Sequence, residues 1–162
     1  MKIEGKNALI TGGAHRIGKA ITLELARKGA NVVINYNNSH DQAISTAEEA
    51  RNHNVKAITI QTDICNRNEV INTFSKIHET IGPIQILINS ASLFKKTEFP
   101  TDTLNEWDDV INTLIQGAYN CSNEASKHMI SSGSGNIINI VDIMAWLPRP
   151  GYTAHSVGKS AL

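Results

Sequence analysis

The sequence is short of cysteine, of net charge and of long apolar runs, and each shortage excludes something. Only two cysteines occur among 162 residues, Cys65 and Cys121, far apart and outside any CxxC pair. That argues against a disulfide framework and a zinc site, and it predicts a reducing compartment. Lysine plus arginine and aspartate plus glutamate both number 15, so the formal net charge is zero and no global field draws the chain to nucleic acid or an anionic membrane. No window approaches the roughly 18 apolar residues of a membrane span. The N-terminal MKIEGKNALITGG has an acid at Glu4 and only a short apolar run before its glycines, so it does not read as a signal peptide. Repeats, low-complexity tracts and linkers are missing too. These absences predict a cytoplasmic, soluble protein with neither a nucleic-acid nor a membrane partner, and no metal site.

Hydrophobic residues make up 41% of the chain and charged residues 19%, enough for a real core in one domain spanning residues 1–162. Short β-type runs alternate with longer helical patterns throughout. NALIT (7–11), NVVIN (31–35), VKAITIQ (55–61), PIQILIN (83–89) and NIINIVD (136–142) read as strands. Between them, helical spacing runs from Ile17 to Gly29, from Asp41 to His53, around Val70 to Ile77, and from about Trp107 to Ile130. A further helix begins as the sequence ends. Apolar strands alternating with helices predict parallel βαβ units, a doubly wound Rossmann-type sheet of order 3-2-1-4-5. His40, His53, His78 and His128 fall on polar helical stretches and are expected to face solvent. Trp107 and Trp146 are expected to pack.

The glycine-rich TGGAHRIGKA sits between the first strand and first helix, where free helix amides would meet a phosphate. From Gly13 it reads G-x-x-x-x-G-K, nearly the loop of a P-loop NTPase, and NIINIVD would supply an acid-ending strand. The position that needs a magnesium-binding hydroxyl is Ala20, however, which weakens that reading at an essential atom. From Thr11 it reads T-G-x-x-x-R-I-G. The alternative to both is a plain tight turn whose glycines allow close helix–strand packing.

Read from Thr11, the loop resembles that of the short-chain dehydrogenase/reductase family, with Arg16 in place of the usual middle glycine, as in the pteridine reductases. Four further stretches match in order: Asp63 in QTDI, Asn89 to Ser92 in NSAS with Phe94 beyond it, Asp142 in NIVD, and Lys159, 17 residues after Asp142. The resemblance implies an NADPH-dependent oxidoreductase that transfers hydride to a pterin or a carbonyl substrate. It implies cofactor contacts at Gly12, His15, Arg16, Ile17, Gly18, Asp63, Ile64, Asn89, Ser90, Ala91 and Lys159. A substrate slot would involve Arg16, Ser92 and the ring of Phe94, unless Phe94 is a core residue. Relatives associate through the long fourth and fifth helices, which implies a homo-oligomer. They are also longer, so the chain reads as an incomplete domain ending in the helix of Lys159.

NAD-preferring proteins carry an acid at the end of the second strand for the ribose 2′-hydroxyl. NYNNS has none there. Asn37, Asn38 and Ser39 could instead bind a 2′-phosphate, with charge from His15 or Arg16, although such a run also suits a polar turn. The resemblance makes Asp142, His155 and Lys159 the catalytic set, yet His155 stands where the family has its proton-donating tyrosine. Histidine can serve as an acid near neutral pH, here only if Asp142 rather than Lys159 dominates its surroundings. Tyr152, three residues earlier, is expected to pack at the helix start or wall the cleft. The family's relay asparagine falls at Leu114. A catalytically silent relative that binds nucleotide or a partner protein is therefore the alternative to a working reductase.

Overall fold

In the computed structural model, which describes residues 2–162, five parallel strands form one sheet in the order β3-β2-β1-β4-β5. The strands are β1 (Asn7–Ile10), β2 (Asn31–Tyr36), β3 (Ala57–Gln61), β4 (Ile86–Asn89) and β5 (Asn136–Asn139). Helices α1 (Arg16–Arg27), α2 (His40–Arg51) and α3 (Arg67–Ile81) follow the first three strands, and α6 (Thr153–Ala161) follows β5. The expected order is therefore the observed one. Among the described residues, no helix is long and apolar enough to cross a membrane.

Period-two alternation decides which side chain meets which helix layer. Ala8 and Ile10, Val32 and Ile34, and Ile86 and Ile88 pack with Ala26, Ala43 and Ala47 of α1 and α2. Their neighbours Leu9, Val33 and Leu87 face the opposite layer, with Phe74 and Ile77 of α3 and Ala125 and Met129 of the helix before β5. Burial of the strands on both faces explains why they read as continuous apolar runs. Edge strand β5 differs, with all four of its residues exposed.

The long helix expected over 107–130 exists, but with a change of winding. It consists of α4 (Asn105–Ile111), a π-helical segment (Asn112–Gly117) and α5 (Ala118–Ser131). Apolar spacing cannot reveal such a segment, because the residues before and after it still point inward. Asn66 caps α3, its carbonyl oxygen accepting from the amides of Asn68 and Glu69 at 3.1 and 3.3 Å.

His40, His53 and His78 are exposed as expected, but His128 is not simply a surface residue. It is half-buried on α5, its Nδ1 accepts from the Ile84 amide at 3.2 Å, and its ring meets Phe74 edge-on at 5.4 Å. Burial first, and then neighbouring His78, hold its pKa below the ordinary 6.5, with Glu124 opposing. The folded chain thus binds this proton less readily than the unfolded one. Stability from this site is present above about pH 6.5 and is lost as pH falls from there through the lowered folded pKa. His128→Gln should therefore flatten the acid limb: the difference in melting temperature between parent and variant should shift in the parent's favour from pH 5.5 to 7.5. A difference that does not change with pH would exclude a titrating His128.

Candidate active site

Beyond the carboxyl ends of β1, β2, β3 and β4 lies a cavity of about 470 Å³, at the switch point between β1 and β4 where open α/β sheets bind ligands. Its floor is a close approach of two backbones. The hydroxyl of buried Thr11 accepts from the amides of Ser90 and Ala91 at 3.0 and 3.1 Å, tying the end of β1 to the turn after β4. Gly12 has φ +62°, and a Cβ there would stand 2.9 Å from the Ala91 Cα. A Cβ on Gly18 would collide with the Gly12 carbonyl, so these two positions need glycine for space.

Arg16 is the departure in this loop. It adopts φ +52°, a left-handed conformation that glycine accepts more easily. It is exposed, opens α1 and lines the cavity with His15, and no side chain caps the first turn of the helix. Two cationic or hydrogen-bonding side chains beside an uncapped helix N-terminus suit an anionic group.

Most of the cofactor residues implied by the resemblance come together here. Gly12, His15, Arg16, Ile17, Gly18, Asn37, Asn38, Ser39, Asp63, Ile64, Ser90 and Ala91 all line the cavity, and so does Ser92. Asn89 does not. It is buried, and its amide donates to Ser122 and Asn139 at 3.0 and 2.8 Å, tying β4 to α5 and β5. Thr113, on the π segment, lines the cavity and had no sequence signal, since its position depends on that winding. The residues fit the adenosine, ribose and phosphate parts of a dinucleotide: a glycine cradle, an uncapped helix start, and Asn37 to Ser39 with no acid among them.

A second cluster joins the first through Leu93, which lines the cavity and whose carbonyl accepts from His155 Nδ1 at 3.3 Å. His155 Nε2 meets Asp142 Oδ2 at 2.8 Å. The His155 side chain is 3% exposed and that of Asp142 is 42% exposed. Asp142 is thus the open member of the pair and His155 the buried one. Partial burial pushes the Asp142 carboxyl up, but hydrogen bonds from His155 and the Met144 amide more than offset it, with His155 and Lys159 charge adding to them, and hold it below its usual value. Lys159 points elsewhere: its ammonium donates to the Ile140 carbonyl at 2.7 Å, and burial depresses its pKa, opposed by Asp142. His155 therefore touches the carboxylate and not the ammonium.

Phe94 is 56% exposed and so is not a core residue. One face stacks on Tyr152 at 4.5 Å and 16°, and the ring meets His155 edge-on at 4.9 Å. Tyr152 is fixed at the start of α6, where Gly151 and Thr153 bond the backbone of Thr97. Leu114, 1% exposed, packs with Val110 and Ala154 and presses on Gly158, so the position where the resemblance leads one to expect an asparagine is an apolar contact between helices. Trp107 packs beside this cluster, whereas Trp146 is 70% exposed rather than packed. Neither cysteine offers a thiolate: burial pushes Cys65 up to about 11 and Cys121 up to about 12.

Comparison with known proteins fits this geometry. A family model described as short chain dehydrogenase matches residues 6–162. The chain is 32% identical over 157 residues to the 3-oxoacyl-(acyl-carrier-protein) reductase FabG of Staphylococcus epidermidis, an alignment covering 97% of this chain and 64% of that protein. It is 33% identical over 162 residues to the gluconate 5-dehydrogenase of Gluconobacter oxydans, covering 99% of this chain and 62% of that one. The crystal structure of a gluconate 5-dehydrogenase from Burkholderia cenocepacia in complex with NADP and tartrate superposes with a TM-score of 0.90 at 28% identity, covering 99% of this chain and 63% of that one. The chain thus spans under two thirds of the length of these relatives.

Arg16 separates a structural role from a binding one. Arg16→Gly relieves roughly 1 kcal/mol of left-handed strain and adds a similar entropic cost, so the melting temperature should barely move. Affinity for a phosphate-bearing dinucleotide should fall several-fold, read by ligand fluorescence. Loss of stability with unchanged affinity would make Arg16 a structural residue only.

Proposed function

Because the chain belongs to the short chain dehydrogenase family, matched over residues 6–162, we propose that it binds NADPH in the cavity beside Arg16 and serves a reductase of pteridine-reductase type. The observation that carries the cofactor choice is the end of β2. Asn37, Asn38 and Ser39 line the cavity without an acid among them, while His15 and Arg16 line the same space. An acid there would repel a 2′-phosphate; amides, a hydroxyl and a guanidinium can hydrogen-bond it. A relative solved with NADP supports the same choice.

When bound, the cofactor supplies hydride, and the reduced atom's partner takes a proton. The substrate class is a carbonyl compound, in keeping with relatives named as an oxoacyl reductase and a gluconate dehydrogenase, or a flat pterin beside Ser92 and the exposed part of the Phe94 ring. On this reading, open Asp142 meets the substrate, with His155 behind it as the proton source. Lys159, held by the Ile140 carbonyl, serves the nicotinamide ribose. The protein acts in the cytoplasm on a small molecule, as a homo-oligomer.

The burial of His155 favours a second reading. With both ring nitrogens engaged and its side chain 3% exposed, it is a poor direct donor, and the chain would then be a slow or catalytically silent nucleotide-binding relative. Fluorescence titration of NADPH, NADH and Mg-ATP tests the cofactor assignment. NADPH should bind about tenfold or more tighter than NADH, as one or two charge-assisted hydrogen bonds to a 2′-phosphate require. Tight Mg-ATP binding without an NADPH response would overturn it in favour of an NTPase. On this second reading, His155→Tyr in the whole protein should raise carbonyl or pterin reduction on the order of a hundredfold, the usual worth of a positioned acid. An unchanged or lower rate in a folded, NADPH-binding variant would mean that histidine already acts as the acid, or that no donor is needed there.

A further inference from the structure

One stretch lining the cavity is Asp63–Ile64, and its backbone lies beyond the sheet, since β3 ends at Gln61. Some of its bonds are local. The Asp63 carboxylate accepts from the Cys65 amide at 2.9 Å, the Asp63 carbonyl accepts from the Asn66 amide, and the Asp63 amide donates to Glu69. Two carbonyls, those of Ile64 and Cys65, are held from outside the loop. Both accept from a single side-chain amide, that of Asn120 on α5, at 2.9 and 3.3 Å. Asn120 is 2% exposed, and its own carbonyl oxygen accepts from Gln116 Nε2 at 2.8 Å, so its orientation is fixed from behind.

The contact continues along the same helix. Gly117 lies flush against Ile64, where a Cβ would stand 2.6 Å from Cδ1. Thr113 lines the cavity with its hydroxyl 3.9 Å from the Cys65 sulfur. Thr113 and Gly117 belong to the π segment, and Asn120 lies in the first turn of α5 after it. A π segment shifts the angular register of the helix beyond it, and such segments occur often at functional sites. Here the widened winding joins a cavity-lining residue and a loop-holding residue in one rigid element.

We propose that Asn120 is a positioning residue for the purine-bearing half of the ligand. It sets the Asp63–Ile64 wall, whose carboxylate can accept from an exocyclic amine of adenine, without touching the ligand itself. This rests on the dinucleotide reading above. It separates two functions within one cavity: the Asp63–Ile64 wall answers to α5, and the glycine loop answers to β1.

The test uses the whole chain with NADPH and with adenosine 2′,5′-bisphosphate, which carries the purine half alone, and with reduced nicotinamide mononucleotide as the other half. Asn120→Leu keeps the volume and removes both donors. It should weaken adenosine bisphosphate and NADPH alike, about tenfold for the loss of two modest hydrogen bonds' worth of preorganisation, and leave the nicotinamide half unchanged. A merely structural role would weaken both halves together, and that result overturns the proposal, as does unchanged affinity for all three. Should Asn120→Leu fail to fold, the parent protein decides. Titration with adenosine 2′,5′-bisphosphate should shift the Asn120 side-chain amide in a nitrogen-15 NMR spectrum, and an unmoved signal at saturation overturns the proposal. Failure of the parent to bind either NADPH or the bisphosphate would count instead against the dinucleotide reading.

Discussion

Everything at the candidate site depends on two stretches of backbone lying closer than side chains permit. Gly12 rests against Ala91, and Gly18 against Gly12, with no room for a Cβ at either glycine. Thr11 holds the approach from below through one hydroxyl that serves the amides of Ser90 and Ala91. Since β1 and β4 are paired in the sheet, the approach is rigid, and the first turn of α1 is aimed over it. β1, β2 and β4 are buried on both faces, which locks their ends in place. A loop fastened to the ends of β1 and β4 shares their fixed placement, which suits the phosphate-binding role proposed for it.

The second cluster depends on a different kind of fastening. α6 is held at its start by the strand-like pairing of Thr97 with Tyr152, and along its length by Leu114 against Gly158 and Ala154. That packing carries His155 under Phe94, between the Leu93 carbonyl and Asp142. The histidine and the leucine are coherent with each other. Leu114 makes the helix interface an apolar contact, and the buried imidazole takes its partners from the protein. His155 thus has both ring nitrogens engaged by the protein, which is the physical basis for the silent-relative reading beside that of a working reductase. A buried polar group whose partners are all internal is stable, but it exchanges protons with a ligand only by way of an open neighbour, here Asp142.

The sequence by itself determined the parallel order of the strands, because alternating apolar runs and helical stripes admit few other packings. The family resemblance carried by its motifs pointed to the set at the glycine loop, the end of β2, Asp63–Ile64 and Ser90–Ser92, which the fold gathers around one cavity. These residues come directly after strand ends, and local chain direction places them. Asn89 shows the limit, since as the last residue of β4 it sits among these motifs yet turns toward α5 and β5. What only the tertiary structure decided lies where distant segments meet. The π segment leaves the inward-facing pattern of the long helix intact, so neither Thr113 on the cavity nor Asn120 on the carbonyls of Ile64 and Cys65 could be read from spacing. Likewise the partners of His155 come from residues 93 and 142, and no pattern along one chain states whether the carboxylate or the lysine will stand beside the imidazole. Distances across a fold are set by packing, and packing is a property of all the segments at once.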